Sequence, residues 1–156
     1  MFREMRRFKQ LLPQEECEEI LRTMPRGILA VLGDDGYPYT VPLDFLLYQG
    51  KLYFHGALEG HKIDAITACD KVSFCVLDEG QRNEGDWWYT FRSVVIFGRA
   101  RLLEDGPYKT EIMTELGRKY MPTEEEIIDD IARNGHRAAI IELTVEHMTG
   151  KRVKEK

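Results

Sequence analysis

The sequence predicts a mainly β domain in which about six antiparallel strands close into a barrel, with short helices covering its ends. Three observations lead to this class. Short apolar or alternating runs recur along the chain, separated by turns that contain glycine or proline, as in hairpin-connected strands. Only a few segments carry apolar residues at helical spacing. The regular alternation of strand and helix that is typical of a doubly wound sheet is missing.

Size and composition fit a single domain. The chain has 156 residues, of which 43% are hydrophobic and 31% charged, so we interpret residues 1–156 as one domain with its core over about residues 12–145. The net charge of −5 argues against a general nucleic-acid binder. We expect a cytoplasmic protein with reduced thiols and no membrane partner, because the sequence has no signal-peptide pattern, no long apolar run and no paired cysteine framework.

The first half of the chain predicts one helix and then three strands. The helix, residues 12–24, has an apolar stripe and a proline near its start. The continuous apolar run 27–32 predicts a strand buried on both faces, and the Asp-Asp-Gly sequence after it predicts a hairpin turn. The second strand, residues 37–48, contains Pro38 and Pro42. Because proline cannot donate to a ladder, we expect this strand to lie at an edge of the sheet or to be locally kinked.

The stretch Lys51–Ile66 begins as the third strand and combines it with a glycine-bearing loop and a helix. Gly56 and Gly60 interrupt the alternation of the strand and let the backbone turn. A helix that begins just after Gly60 has unpaired N–H groups in its first turn, and His61 and Lys62 lie beside them. Donors, a helix dipole and a cation together predict a phosphate site. The alternative is an ordinary strand–loop–helix whose basic pair is solvated.

The second half predicts three more strands and two helices. An internal glycine, Gly98, predicts a bend in the longest strand. The first helix begins near Gly106, and Thr123 with Glu126 has the spacing of a capping box that starts the second helix. The basic tail, residues 151–156, is predicted to be frayed. The three strands span residues 71–77, 90–103 and 138–143.

Three motifs resemble those of the pyridoxamine-phosphate-oxidase-like flavin-binding split barrels, and within that family the nitroimidazole-resistance branch. They occupy residues 39–43, 52–62 and 92–100, in that order. The resemblance covers roughly residues 26–143. It implies a six-stranded antiparallel split β-barrel with peripheral helices, which binds FMN at the interface of a homodimer.

The implied cofactor-binding residues come from three places in the chain. The second strand would run along the isoalloxazine ring, the glycine-bearing loop would hold the phosphate, and one residue of the longest strand takes the place of a glutamine in the oxidase branch. Where that branch has arginine this chain has histidine in the phosphate motif, and it lacks the C-terminal arginine-and-histidine motif. Pyridoxamine phosphate is therefore not the implied substrate. The residues are Thr40, Val41, Pro42, Leu43, His55, His61, Lys62 and Ser93.

His55 is the candidate catalytic residue, since the nitroimidazole-resistance pattern carries a histidine at this place. It could donate a proton to a reduced substrate or hold the cofactor by a hydrogen bond; the alternative is a structural histidine bonded to a neighbouring carbonyl. We expect no metal site, because His55 and His61 do not have a recognised ligand spacing. The aromatic run Trp87–Tyr89 could wall a pocket over the flavin or pack against a core or an interface.

The resemblance implies an NAD(P)H-dependent FMN enzyme that reduces small flat acceptors such as nitroaromatics or quinones. No dinucleotide fingerprint follows a strand, so the nicotinamide would use the same face of the flavin as the acceptor. The alternatives are a non-catalytic protein that carries flavin or haem, and a structural dimer whose site has decayed.

Overall fold

Seven antiparallel strands form one continuous sheet that curls into a split barrel in the computed structural model, which describes residues 1–154. The strands are β1 (Arg26–Leu32), β2 (Pro38–Asp44), β3 (Leu46–Tyr48), β4 (Lys51–Ala57), β5 (Lys71–Leu77), β6 (Thr90–Leu102) and β7 (Ala138–Lys154). Their order in the sheet is β2-β1-β5-β6-β7-β4-β3. The two end strands, β2 and β3, are joined by Phe45 alone, so the chain itself brings the two edges of the sheet together.

Four α-helices cover the sheet: α1 (Gln14–Thr23), α2 (His61–Ala68), α3 (Pro107–Tyr120) and α4 (Glu124–Asn134). The apolar faces of α1 and α2 join the barrel interior, where Ile20 and Ile63 are buried. The cap of α4 is the predicted one, because the hydroxyl of Thr123 accepts a hydrogen bond from the backbone N–H of Glu126 at 3.2 Å. Among residues 1–154, no helix is both long and apolar enough to cross a membrane.

The apolar core has two parts. The larger part fills the barrel and includes Leu29, Phe54 and Phe74, each at most 1% exposed. The smaller part lies on the outer face of β4 and β7, where α3 packs. Its buried members are Tyr53, Ile112, Leu116 and Ile140. These two clusters confirm the predicted architecture of a β-barrel with α3 and α4 packed outside it.

The strand count is seven and not six, because the predicted second strand breaks at Phe45. The Phe45 side chain is fully buried, and its backbone N–H donates to the hydroxyl of Tyr120 at 2.9 Å. The backbone therefore leaves the sheet for one residue before β3 begins. The prediction that residues 27–32 are buried on both faces is also wrong, since Ile28 and Leu32 are 42% and 49% exposed.

The longest strand pair holds the C-terminal end of the described chain. Strand β6 pairs with β7 over its whole length, and the register shifts between Phe97 and Gly98, which confirms a bend at this glycine. Lys151 pairs with Ser93 and Lys154 with Thr90. The prediction of a frayed tail is thus wrong for residues 151–154, and residues 155–156 lie outside the described part.

Candidate functional site

The free edge of β2 carries a single backbone donor over residues 38–42. The N–H of Gly33 donates to the carbonyl of Tyr37 at 2.8 Å, and hydrogen-bonded pairs alternate along an antiparallel ladder. Tyr39 and Val41 therefore bond to β1, whereas Pro38, Thr40 and Pro42 turn their backbone groups outward. Since proline has no N–H, only Thr40 offers one at the edge. The predicted edge position of this strand is confirmed.

The first turn of α2 opens toward the same region. Gly60 is the residue before the helix, with φ of 125°, a value that favours glycine. Its carbonyl accepts hydrogen bonds from the N–H groups of Ile63 and Asp64 at 2.9 and 3.1 Å. The N–H groups of His61 and Lys62 precede the first helical hydrogen bonds and are free for another acceptor. The start of α2 thus leaves two N–H groups beside the Lys62 side chain.

The side chain of Lys62 lies over Gly56 of β4. A Cβ atom placed on Gly56 would stand 2.8 Å from Cε and 3.0 Å from Nζ of Lys62. The missing side chain at position 56 thus makes room for the lysine, and the ammonium group is held between β4 and the start of α2. Within residues 1–154, no carboxylate lies within 4.0 Å of this ammonium group.

The imidazole of His61 packs on the hairpin between β1 and β2. Its ring lies 4.2 Å from the ring of Tyr39, centroid to centroid, and its Nε2 atom is 3.9 Å from a carboxylate oxygen of Asp34. Gly33 lies under it, because a Cβ there would be 2.9 Å from Nε2. The hairpin therefore fixes the position of the His61 ring. Sequence reasoning missed this contact, since nothing in the local pattern links residues more than twenty positions apart.

His55 lies on the other face of β4 from the Lys62 side chain. Successive strand residues face opposite sides, so His55 points outward where Gly56 faces Lys62. The outward side is a cavity of about 270 Å³ between β4, the start of β7 and helices α3 and α4. His55 lines this cavity together with Asp44 and Ile140. The structure therefore gives the candidate histidine an open pocket, separate from the lysine.

Ser93 is not brought to the other candidate residues within one chain. It lies on β6, three strands from β2 in the sheet order, which is about 14 Å along the sheet. Thr40 and Ser93 nevertheless share the outer face, because Val41 and Val94 face the core. An apolar row crosses that face between them, in which Pro42 pairs with Ile28, Ile28 with Cys75 and Cys75 with Val95.

The aromatic run after the loop between β5 and β6 does not pack into the core. Trp87 is 75% exposed and Tyr89 52% exposed, while the rings of Trp87 and Trp88 meet edge to face at 5.6 Å. Core packing is therefore excluded for Trp87 and Tyr89, and the wall of a pocket and an interface are the roles left from the sequence analysis.

Two of three comparisons with known proteins found matches. The family model described as pyridoxamine 5'-phosphate oxidase matches residues 13–152. No curated protein matches the sequence. A proposed 5-nitroimidazole antibiotic resistance protein from Bacteroides thetaiotaomicron superposes with a TM-score of 0.73 at 20% identity, over 93% of this chain and 90% of that one.

Two further solved structures are similar. A FAD-binding protein from Mesorhizobium loti has a TM-score of 0.67 at 25% identity, over 93% of this chain and 98% of that one. The haem storage protein HutZ from Vibrio cholerae has a TM-score of 0.68 at 15% identity, over 89% and 94%. The family match spans almost the whole chain, and the structures share its fold. The chain therefore belongs to the pyridoxamine 5'-phosphate oxidase family of split-barrel proteins.

Proposed function

We propose that this protein binds FMN in the cleft between the free edge of β2 and the start of α2, and that it is an NAD(P)H-dependent oxidoreductase for small flat acceptors such as nitroaromatics. The observation that carries the proposal is that the first turn of α2 contacts both strands, with Lys62 over Gly56 of β4 and His61 against Tyr39 of β2. Strand β2 passes beside β4 without a ladder between them within residues 1–154. The cleft is thus bordered by the Thr40 N–H, the first-turn N–H groups of α2 and the ammonium of Lys62.

The donor set fits a flavin mononucleotide. A phosphate is bound by helix N-terminal N–H groups and a cation, which are the groups that Gly60, His61 and Lys62 supply. The polar edge of an isoalloxazine ring needs both a donor and acceptors. The Thr40–Leu43 segment offers one outward N–H, that of Thr40, together with the outward carbonyls of Thr40 and Pro42. The flavin and haem ligands in the names of the M. loti and V. cholerae proteins support a cofactor-binding role.

Bound FMN would supply the two-electron chemistry, and the protein would bind and orient the reactants. Lys62 fixes the phosphate end, and the edge of β2 fixes the ring. The imidazole of His55 is among the groups that line the open cavity on the outer side of β4, and we assign to it the delivery of a proton to the reduced acceptor.

We also propose a homodimer in which Ser93 of one protomer completes the site of its partner. The support is the outer sheet face, where the apolar row through Ile28 and Val95 lies exposed or half-buried between Thr40 and Ser93. A second copy would cover this surface. Pairing of two copies about a twofold axis would also bring Ser93 of one protomer close to β2 of the other. Within one chain, Ser93 is too far from β2 to take part in the same site.

The absorption spectrum of the protein, before and after addition of FMN, tests the cofactor. We expect the two bands of a bound flavin. A Soret band in place of them would instead support the second candidate, a haem or flavin carrier without turnover. Anaerobic addition of NADH or NADPH should then bleach the flavin bands, and a nitroaromatic acceptor should restore them. A flavin that stays oxidised with both nicotinamides would contradict the enzyme and leave the carrier.

A further inference from the structure

The cavity beside His55 has an apolar wall. It lies between the outer face of β4 and the two outer helices, and its volume is about 270 Å³. A cavity of roughly 150 Å³ is enough to bind benzene, so this one has room for a single ring with substituents. The apolar lining residues are Met113, Leu116, Met121, Ile127, Ile131 and Ile140.

The polar groups of the cavity are acidic or neutral. Besides His55, they include Asp44, Asp130 and Asn134, and no lysine or arginine of residues 1–154 lines it. Asp44 is compensated, because its carboxylate accepts a hydrogen bond from the guanidinium of Arg26 at 2.9 Å. Asp130 has only the side-chain amide of Asn134 as a partner, at 2.7 Å, and no cation of the described chain lies within 4.0 Å of it.

We propose that this cavity is the acceptor pocket and that it selects flat aromatic molecules that are cationic or uncharged, with Asp130 as the residue that determines the charge preference. The assignment of the ligand as an electron acceptor rests on the proposed oxidoreductase function. Binding of the aromatic ring does not depend on the oxidoreductase function, because the cavity is formed by this chain alone. An unpaired carboxylate attracts an ammonium substituent and repels a carboxylate substituent.

The test uses three probes with the same ring and different charge: para-nitrobenzylamine, para-nitrobenzyl alcohol and para-nitrobenzoate. Their dissociation constants are measured by calorimetry near neutral pH, on protein with and without FMN. We expect the amine to bind about tenfold or more tightly than the benzoate, with the alcohol between them. Equal affinity for the three probes would overturn the proposal.

Two pairs of variants localise the effect. Asp130→Asn should reduce the preference for the amine to about threefold or less, whereas Asp129→Asn, on the same helix and paired with Arg133, should keep it. Ala138→Leu extends a side chain into the cavity and should weaken all three probes by about tenfold or more. Ala132→Leu, at an exposed position of α4, is its control. Unchanged binding to Ala138→Leu would contradict the pocket.

Methyl NMR keeps the test decisive where a variant fails to fold. In the wild-type protein, the probes should shift the methyl resonances of Ile127 and Ile131; shifts confined to other methyl groups would place the ligand elsewhere.

The failure of the flavin proposal and the failure of the pocket proposal give different results. If FMN does not bind while the probes bind in the expected order, the flavin function fails and the pocket stands. If FMN binds and displaces the probes, the cavity is part of the flavin site and the proposal is overturned.

Discussion

Lys62 and Gly56 form a matched pair in which the missing side chain of one residue accommodates the long side chain of the other. A Cβ on Gly56 would lie 2.8 Å from Cε of Lys62, closer than such atoms approach. The lysine is the first-turn cation of α2, and the glycine belongs to β4. The pair therefore keeps a positive charge beside the free N–H groups of the helix.

Lys62→Ala should weaken FMN binding by about tenfold to a hundredfold. A charge-assisted contact contributes about 1.5–3 kcal/mol, and each 1.4 kcal/mol corresponds to about a factor of ten in the dissociation constant. Riboflavin lacks the phosphate, so its affinity should be almost the same for both proteins. Titration of both flavins into wild type and variant measures the difference.

The matched control is Lys71→Ala, which removes an exposed lysine from β5 and should change neither affinity. If Lys62→Ala weakens riboflavin as much as FMN, the lysine supports the fold and does not bind phosphate.

Ile28→Glu should disrupt the homodimer and weaken FMN binding in the same step. Ile28 is 42% exposed in one chain and lies at the middle of the apolar row on the outer face. A carboxylate there can reach water in the monomer but would be buried in a dimer, where its desolvation is costly. Sedimentation at micromolar concentration should change from dimer to monomer. A wild-type protein that sediments as a monomer with FMN bound would exclude the shared site.

The edge position of β2 was predictable because it follows from two prolines. Each lacks an N–H group for a ladder, and this effect can be recognised from the local sequence alone. The break at Phe45 was not predictable, because it depends on Tyr120. The hydroxyl of Tyr120 accepts from the N–H of Phe45 and donates to the carbonyl of Pro25 at 2.7 Å. A partner seventy-five positions away leaves no trace in the periodicity of residues 37–48.

The candidate site divides in the same way. The local glycines predict that α2 begins just after Gly60 with Lys62 in its first turn, and the helix does begin at His61. The packing of His61 on Tyr39 and the opposite directions of His55 and Lys62 depend on how the β1–β2 hairpin and helices α3 and α4 pack around β4. The pairing of residues 151–154 with β6 likewise depends on a distant strand, so composition alone gave the wrong expectation of a frayed tail.

Thr123→Ala should lower the free energy of unfolding by about 1 kcal/mol. Its hydroxyl satisfies the N–H of Glu126, one of the four unpaired donors at the start of α4. Urea denaturation measures the change, and Thr123→Ser, which keeps the cap, should restore most of it. A Ser variant as unstable as the Ala variant would mean that the methyl group and not the cap matters.

Lys119→Met should destabilise the protein by about 1–3 kcal/mol near pH 7. The Lys119 ammonium donates to the carbonyls of Met24 and Phe45, both at 2.8 Å, and lies 3.8 Å from the centre of the Phe45 ring. It thus connects the end of α1 to the break between β2 and β3. Methionine keeps the apolar stem but leaves both carbonyls without this donor.

The same lysine predicts how this destabilisation depends on pH. Burial lowers the pKa of Lys119 to about 8, whereas the unfolded chain has the ordinary lysine value of about 10.4. Between these two values the unfolded state binds more protons, so this group makes the free energy of unfolding rise with pH. Urea denaturation between these two pH values should therefore show that the difference in free energy of unfolding between wild type and Lys119→Met increases toward alkaline pH. If the difference in the free energy of unfolding between wild type and Lys119→Met becomes smaller toward alkaline pH, the folded protein favours the ammonium form of Lys119, which would contradict this prediction.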